Sequence, residues 1–271
     1  VSETRTRDDA RWIELTGADN VRDLGGLPTA DGRAVQFRRL IRSDSLQDLS
    51  PDDVRYLVDD LRVRAVADLR TGVEVAGEGP GPMNREPLVR VEHLSLFPEP
   101  DEVEVDASDD GPIVLPWQER DEQDTEDDRR PGVSGIYLGY LDDRADSVLA
   151  ALRLIAHSDG ATIVHCAAGK DRTGTIVALA LAEVGVDRAA IVEDYALSAE
   201  RVEAIIARLV ARRTYAGDLD DEPVDKHKPR PATMERMLAT LDEEHGGVSA
   251  WLRAHGWTDE DAAALRRKLL D

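Results

Sequence analysis

The chain has 271 residues, 41% hydrophobic and 33% charged, with 56 acids against 34 lysines and arginines, a net charge of −22. This length is enough to bury a real core, and no apolar run reaches membrane-spanning length. So negative a surface repels nucleic acid and anionic membranes at long range, which ranks a nucleic-acid partner low and requires any anionic substrate to be captured by a local positive site. Aromatics are 4%, so the core is expected to be Leu, Val, Ile and Ala. The single cysteine, Cys166, rules out an internal disulfide and a cysteine-rich metal centre. The six histidines are scattered, with no pair at metal-ligand spacing, so no metal and no cofactor are expected. VSETRTRDDARW at the start has no apolar signal region, which makes the cytoplasm the default expectation.

Residues 39–46, RLIRSDSL, read as a short strand running into a turn. Ser50 is placed as an N-cap, with Pro51 at the first helical position and Asp52 and Asp53 in the first turn, predicting a helix to about Leu61. VRAVADLR, 63–70, alternates as a strand, and TGVEVAGEGPGP then breaks regular structure. VRVEHLSLF, 89–97, predicts another strand. Residues 98–131 hold two acidic stretches around PIVLPW and predict a mobile insertion. Apolar spacing from Ile136 to His157 predicts one helix, stopped by Asp159-Gly160. ATIVHC, 161–166, reads as a buried strand, and TGTIVALALAEV, 173–184, as a buried helix ending at Gly185. From about 187 onward the chain reads as helical, with Thr258 capping the last helix. The expectation is one α/β domain over 1–271, a central largely parallel sheet flanked by helices, with an additional helical C-terminal portion.

Between the 161–166 strand and the helix that follows lies HCAAGKDRTG, residues 165–174. A loop in this setting can converge its backbone N–H groups on an anion, and the helix start adds the positive end of its dipole. Gly169 and Gly174 allow close approach, so Ala167, Ala168, Gly169, Lys170, Asp171 and Arg172 are expected to line a cradle for a phosphate-sized oxyanion. Arg172 offers a planar fork to two of its oxygens. Cys166 at the base of such a cradle is favoured as thiolate, an in-line nucleophile toward phosphorus. Thr173 is placed to donate to the sulfur as it leaves, and His165 to orient the loop. The bland alternatives are a buried structural thiol at Cys166 and a structural cation at Arg172.

Cysteine, five residues, arginine, then threonine is the signature of the protein tyrosine phosphatase superfamily. The full string HCAAGKDRTG resembles the bacterial atypical tyrosine and lipid phosphatases, whose loop reads HC-x-x-GKDRTG. Asn20–Gly26, NVRDLGG, resembles that branch's N-terminal motif, Ile41-Arg42-Ser43 its RS turn, and Val66–Arg70 its DLR strand end, with Glu74 where its following Glu falls. MERMLATLDEEHGGVSAWLR is similar to its helical tail. The resemblance covers most of the chain outside about 98–131. It implies a phosphatase fold, hydrolysis through a phosphocysteine, and a substrate range that Lys170 and Asp171 broaden to include phosphoinositides.

The leaving group needs a proton, and two carboxyls compete to supply it. Asp68 ends a strand expected beside the Cys166 strand and is slightly preferred; Asp171 lies in the loop itself. The alternative for Asp68 is a salt bridge with Arg22 or Arg70, and for Asp171 a hydrogen bond that shapes the loop. Arg22 and Asp23 are expected to brace the fold, and Glu74 to pair with Arg70 four residues earlier. DKHKPRP, 225–231, reads as a solvated polar loop, or else as a basic rim that draws an anion inward. The acidic segment reads as a mobile insertion, or else as an autoinhibitory lid. The function expected is a cysteine-dependent phosphomonoesterase acting on phosphotyrosine, with phosphoserine, phosphothreonine or phosphoinositide as further substrates on a protein, lipid or small molecule. The alternatives are a non-catalytic phospho-reader and sulfur-transfer chemistry on the same loop.

Overall fold

The computed structural model describes residues 11–99, 115–117, 133–219 and 223–271. The strands are β1 (Arg22–Asp23), β2 (Leu40–Ser43), β3 (Val63–Asp68), β4 (Arg90–His93) and β5 (Ala161–His165). They form one sheet in the order β1-β2-β5-β3-β4, parallel throughout except for the antiparallel β1 edge. Parallel strands need both faces covered, and these strands read accordingly as near-continuous apolar runs. Ile41, Val63, Val66, Ala161 and Ile163 belong to one buried cluster, and Leu40, Ala65, Ala67 and Val164 to the other. β5 lies in the centre, and its last residue, His165, is in register with Ser43 of β2 and Asp68 of β3. The chain therefore leaves β5 into a crevice whose walls are the carboxyl ends of β2 and β3, where open α/β sheets bind ligands.

The helices are α1 (Pro51–Arg55), α2 (Gly72–Glu78), α3 (Val133–Asp143), α4 (Ala145–His157), α5 (Asp171–Glu183), α6 (Arg188–Leu197), α7 (Val202–Val210), α8 (Arg213–Leu219), α9 (Pro231–His245), α10 (Val248–Ala254) and α11 (Asp259–Leu270). The expected caps are present: Ser50 and Thr258 each form a capping box with the aspartate three residues on. α1 runs on through a π-helical turn to Asp60.

Four elements differ from the sequence expectation. TGVEVAGEGPGP, 71–82, expected to break regular structure, holds helix α2, started by a capping box between Thr71 and Glu74. The 136–157 helix is two helices, parted at Arg144, which leaves helical geometry and donates to the Phe97 carbonyl (2.9 Å) and Ser147 Oγ (2.6 Å). The 89–97 strand stops at His93, because Ser95 and Phe97 bond each other in a turn that buries the Phe97 ring. The long helix after 187 breaks at a 3-10 turn, Ser198–Arg201, where the Ser198 hydroxyl accepts from Asn20 and Arg22 instead of continuing outward. Among the described residues no helix is long and apolar enough to cross a membrane. Most of the acidic 98–131 segment lies outside the described residues, so the lid expectation falls there too. Leu115, from its apolar island, is buried with Ala167, Ile205, Leu209 and Tyr215.

Candidate active site

Residues 166–170 link β5 to α5, and their carbonyls are tied to the protein behind them. The Ala167 carbonyl accepts from Ser45 N (2.9 Å), that of Ala168 from Asn20 Nδ2 (3.0 Å) and that of Gly169 from Asn20 Nδ2 (3.2 Å) and Arg42 Nη2 (2.8 Å). The Lys170 carbonyl accepts from Arg42 Nη2 (3.4 Å) and Gly174 N (2.9 Å). In a planar trans peptide C=O and N–H point opposite ways. Turning these carbonyls outward therefore turns the N–H groups of Ala168 to Asp171 toward the concave side. Gly169 has φ +65°, and a Cβ there would sit 2.4 Å from the Ser43 carbonyl oxygen, so only glycine fits.

The rear of the loop rests on a buried charge cluster. Asp194 of α6 is paired with Arg11, Arg22 (3.1 Å) and Arg42 (2.7 Å). Burial pushes its carboxyl up, but Arg22, Arg42 and Arg11 outweigh burial and hold it below the usual carboxylate range. Arg22 Nη1 also donates to Asn20 Oδ1 (2.6 Å), which leaves the Asn20 amide nitrogen aimed at the loop carbonyls. Arg22 thus braces the site without touching its concave face. Asp23 accepts from Gly25 N (2.8 Å) and Arg38 N (2.7 Å), also a bracing position.

On the concave side, Cys166 is buried at the base of the loop. Arg172 lies 5.2 Å from the Trp117 ring centroid and 5.9 Å from that of Phe97. Its Nη1 and Nη2 both donate to Glu74, Nη2 to Oε1 at 2.9 Å. Glu74 is buried at the third position of α2, in a capping box with Thr71, and also accepts from Tyr215 OH (3.0 Å). Burial raises its pKa, but Arg172, the Thr71 N–H and Arg70 together outweigh burial and hold it below the ordinary value. The expected Glu74–Arg70 pair is thus replaced by a Glu74–Arg172 clamp. The i+4 spacing that suggested Arg70 applies along a continuous helix, and α2 starts only at Gly72.

Asp68 and Asp171 occupy different environments. Asp68 accepts from Arg70 through Nε (2.9 Å) and Nη2 (2.6 Å), and His165 Nε2 lies 3.6 Å away. Burial opposes its ionisation, but His165 and Arg70 hold it ionised, well below the ordinary range. This is the salt-bridge alternative, with Arg70 and not Arg22 as partner, and it disfavours Asp68 as a proton donor. His165 is buried, which pushes its pKa down, and its Nδ1 lies 3.3 Å from the Cys166 carbonyl oxygen. Asp171 starts α5; its Oδ1 accepts from Tyr137 OH and its Oδ2 lies 3.4 Å from Lys170 Nζ. Lys170 Nζ donates to the His227 carbonyl (2.7 Å), so the 225–231 segment reaches the loop through its backbone. The Thr173 hydroxyl is buried with no hydrogen-bond partner among the described residues.

The residues named from the 165–174 string lie together between β5 and α5, and Asp68 stands at the neighbouring end of β3, paired with Arg70. Asn20, Arg42 and Glu74 lay in motif strings already singled out, but their contacts with the loop were not foreseen. Asp194, Tyr137 and Tyr215 carried no local signal, being single polar positions in helical segments.

A model of the tyrosine phosphatase family matches residues 13–271. The chain is 31% identical to the triple specificity protein phosphatase PtpB of Mycobacterium tuberculosis, over 95% of this chain and 98% of that protein. It is 27% identical to a putative tyrosine-protein phosphatase of Cupriavidus necator over 91% of this chain and 84% of that one. A shorter match, 35% identical over 43% of this chain and 42% of the other, links it to a tyrosine-protein phosphatase of Nostoc commune. With nearly the whole chain matched and the cysteine–arginine loop cradled as described, the protein belongs to the tyrosine phosphatase family.

Proposed function

We propose that residues 1–271 form one phosphatase domain that hydrolyses phosphomonoesters through a phosphocysteine on Cys166. The N–H groups of Ala168 to Asp171 and the Arg172 guanidinium hold the phosphoryl oxygens. The Cys166 thiolate attacks phosphorus in line; the S–P bond forms as the bond to the leaving oxygen breaks. That oxygen keeps the bonding pair and takes a proton from Asp171. In the second step Asp171 carboxylate takes a proton from water, the water oxygen attacks phosphorus, and the S–P electrons return to sulfur. The unpartnered Thr173 hydroxyl supports that departure by donating to the thiolate. Asp171 is the acid in this reading because Asp68 is committed to Arg70 in its ionised form.

The single observation that carries the reading is the outward tie of the carbonyls of residues 167–170, which leaves their following N–H groups around Cys166. The loop string HCAAGKDRTG favours the bacterial atypical branch, and the name of the M. tuberculosis relative, triple specificity, favours a broad substrate range. We therefore assign phosphotyrosine, with phosphoserine, phosphothreonine and phosphoinositides as further substrates. The test is Cys166→Ser, which is expected to abolish turnover of an aryl phosphate while retaining phosphate-analogue binding; retained turnover overturns the mechanism. Acid-quenched mass spectrometry is expected to find phosphate on Cys166, and a persulfide there instead would redirect the assignment to sulfur transfer. A rate panel of phosphotyrosine peptide, phosphoserine peptide and phosphoinositides sets the breadth.

A further inference from the structure

We propose that Tyr137 is a positioning residue whose hydroxyl fixes Oδ1 of Asp171, leaving Oδ2 to carry the proton passed to the leaving group. The inference rests on Asp171 being the general acid and goes beyond it by naming what aims that acid.

Three elements converge here. Tyr137 of α3 donates to Asp171 Oδ1, and its oxygen lies 2.7 Å from the hydroxyl of Tyr195 on α6. Oδ1 accepts whether or not the proton is on Oδ2, so Tyr137 spends its one proton on Asp171, and Tyr195 must then donate to Tyr137. The chain has one polarity: Tyr195 to Tyr137 to Asp171. Both phenols are buried, Tyr137 at 0% exposed and Tyr195 at 2%, in a largely aliphatic cluster that also holds Tyr140 and Cys166. Burying two hydroxyls is costly unless they are satisfied, and among the described residues these two are satisfied as a chain that ends on the loop carboxylate. The Tyr195 ring is also registered to the start of α5: a Cβ at Gly174 would stand 2.9 Å from its Cδ2. The phenols thus hold the acid relative to the helix that begins with it.

The two oxygens of Asp171 are made unequal. Oδ1 is tied to the buried chain, while Oδ2 is on the side of Lys170, whose ammonium is anchored on the His227 carbonyl. The groups that face the carboxyl are Lys170 beside it, Tyr137 and Tyr140 from α3, and Tyr195 from α6. Cys166 and Arg172 share the loop, and Arg42 of β2 lies near Tyr195. Burial, reinforced by the Asp171 charge, raises the phenol of Tyr137 well above its ordinary value, so it stays a donor throughout the working range.

The experiment compares kcat/KM on two substrates with different need for an acid: p-nitrophenyl phosphate, a good leaving group, and phenyl phosphate, a poor one. Tyr137→Phe is expected to lose about tenfold on phenyl phosphate and less than about threefold on p-nitrophenyl phosphate. Equal losses on both substrates overturn the inference. Asp171→Asn separates the two readings. If that variant shows no leaving-group dependence, the assignment of Asp171 as acid fails; if it does and Tyr137→Phe does not, only the positioning role fails. Adding Tyr137→Phe to Asp171→Asn is expected to cost nothing further on either substrate. Should Tyr137→Phe not fold, Tyr195→Phe carries the test: a leaving-group-dependent loss supports the chain, and a uniform loss or none overturns it.

Discussion

Glu74 accepts from both terminal nitrogens of Arg172, and both side chains are buried. The clamp presents the guanidinium in one orientation before any substrate arrives, which is the preorganisation that phosphoryl transfer demands. It also uses an anion to hold the group meant for an anion, so its removal affects stability and catalysis together.

Glu74→Gln keeps the shape and one acceptor while deleting the charge. Breaking one side of a buried pair costs about 3–5 kcal/mol, because the remaining charge is left uncompensated. A large fall in Tm is expected, together with a fall in kcat/KM of about tenfold or more. Inorganic phosphate, by supplying the missing anion at Arg172, is expected to raise the Tm of the variant more than that of the wild type. Calorimetry with and without phosphate checks this; equal shifts would place Arg172 away from the bound anion.

Asn20 holds the carbonyls of Ala168 and Gly169 from behind. In Asn20→Asp an acceptor-only group faces two carbonyl oxygens, which turns attraction into repulsion at a cost of about 1–3 kcal/mol. The loop N–H groups lose their aim, so competitive inhibition by inorganic phosphate is expected to weaken about tenfold or more. Inhibition constants measured beside a near-ultraviolet spectrum, to establish folding, test the point. Unchanged inhibition in a folded variant would mean that the loop keeps its shape without Asn20.

Asp44 lies behind the same loop, buried and accepting from the backbone N–H groups of Asp19 and Asn20. Burial pushes its pKa up to about 6, against an ordinary 3.8. A raised carboxyl favours the protonated fold, so its stabilisation is full below about 4 and is lost as pH rises through about 6. The loss amounts to something on the order of 3 kcal/mol. Asp44→Asn keeps an acceptor and removes the titration, so its Tm relative to wild type is expected to climb between pH 4 and 7. A difference that stays flat over that range would show that Asp44 is not perturbed.

Cys166 is the chain's single thiol. Peroxide is expected to inactivate the enzyme through a sulfenic acid, which no second cysteine in the chain can resolve. Recovery then requires an external thiol or a cyclic sulfenamide with the backbone. Intact-mass analysis after peroxide, with and without added thiol, checks this. A disulfide-linked dimer would show the thiol to be more accessible than its burial implies.

The strand, loop and helix around residues 161–184 were legible because a short β-branched run, two glycines and a continuous apolar helix leave little else for them to form. The helix starts at Ser50 and Thr258 were legible for the same local reason, since a cap is decided within four residues. What escaped was decided by distant chain. Arg144 breaks a helix to reach the Phe97 carbonyl, and nothing in its neighbourhood marks that. The sequence favoured Asp68 over Asp171 on its place at a strand end, because the phenol that meets Asp171 comes from a helix 34 positions away and leaves no local mark. Glu74 was misassigned by a helical spacing that begins two residues too late to apply.

The Asp194 cluster ties the loop to both ends of the fold. Arg11 and Asp194 are 183 positions apart, and Asn20 grips Ala168 across 148. Contacts of such separation form late, after the chain has given up the freedom of the long segments between them. A chain that ends soon after Cys166 therefore carries the nucleophile and the N-terminal braces without the carboxylate that gathers Arg11, Arg22 and Arg42.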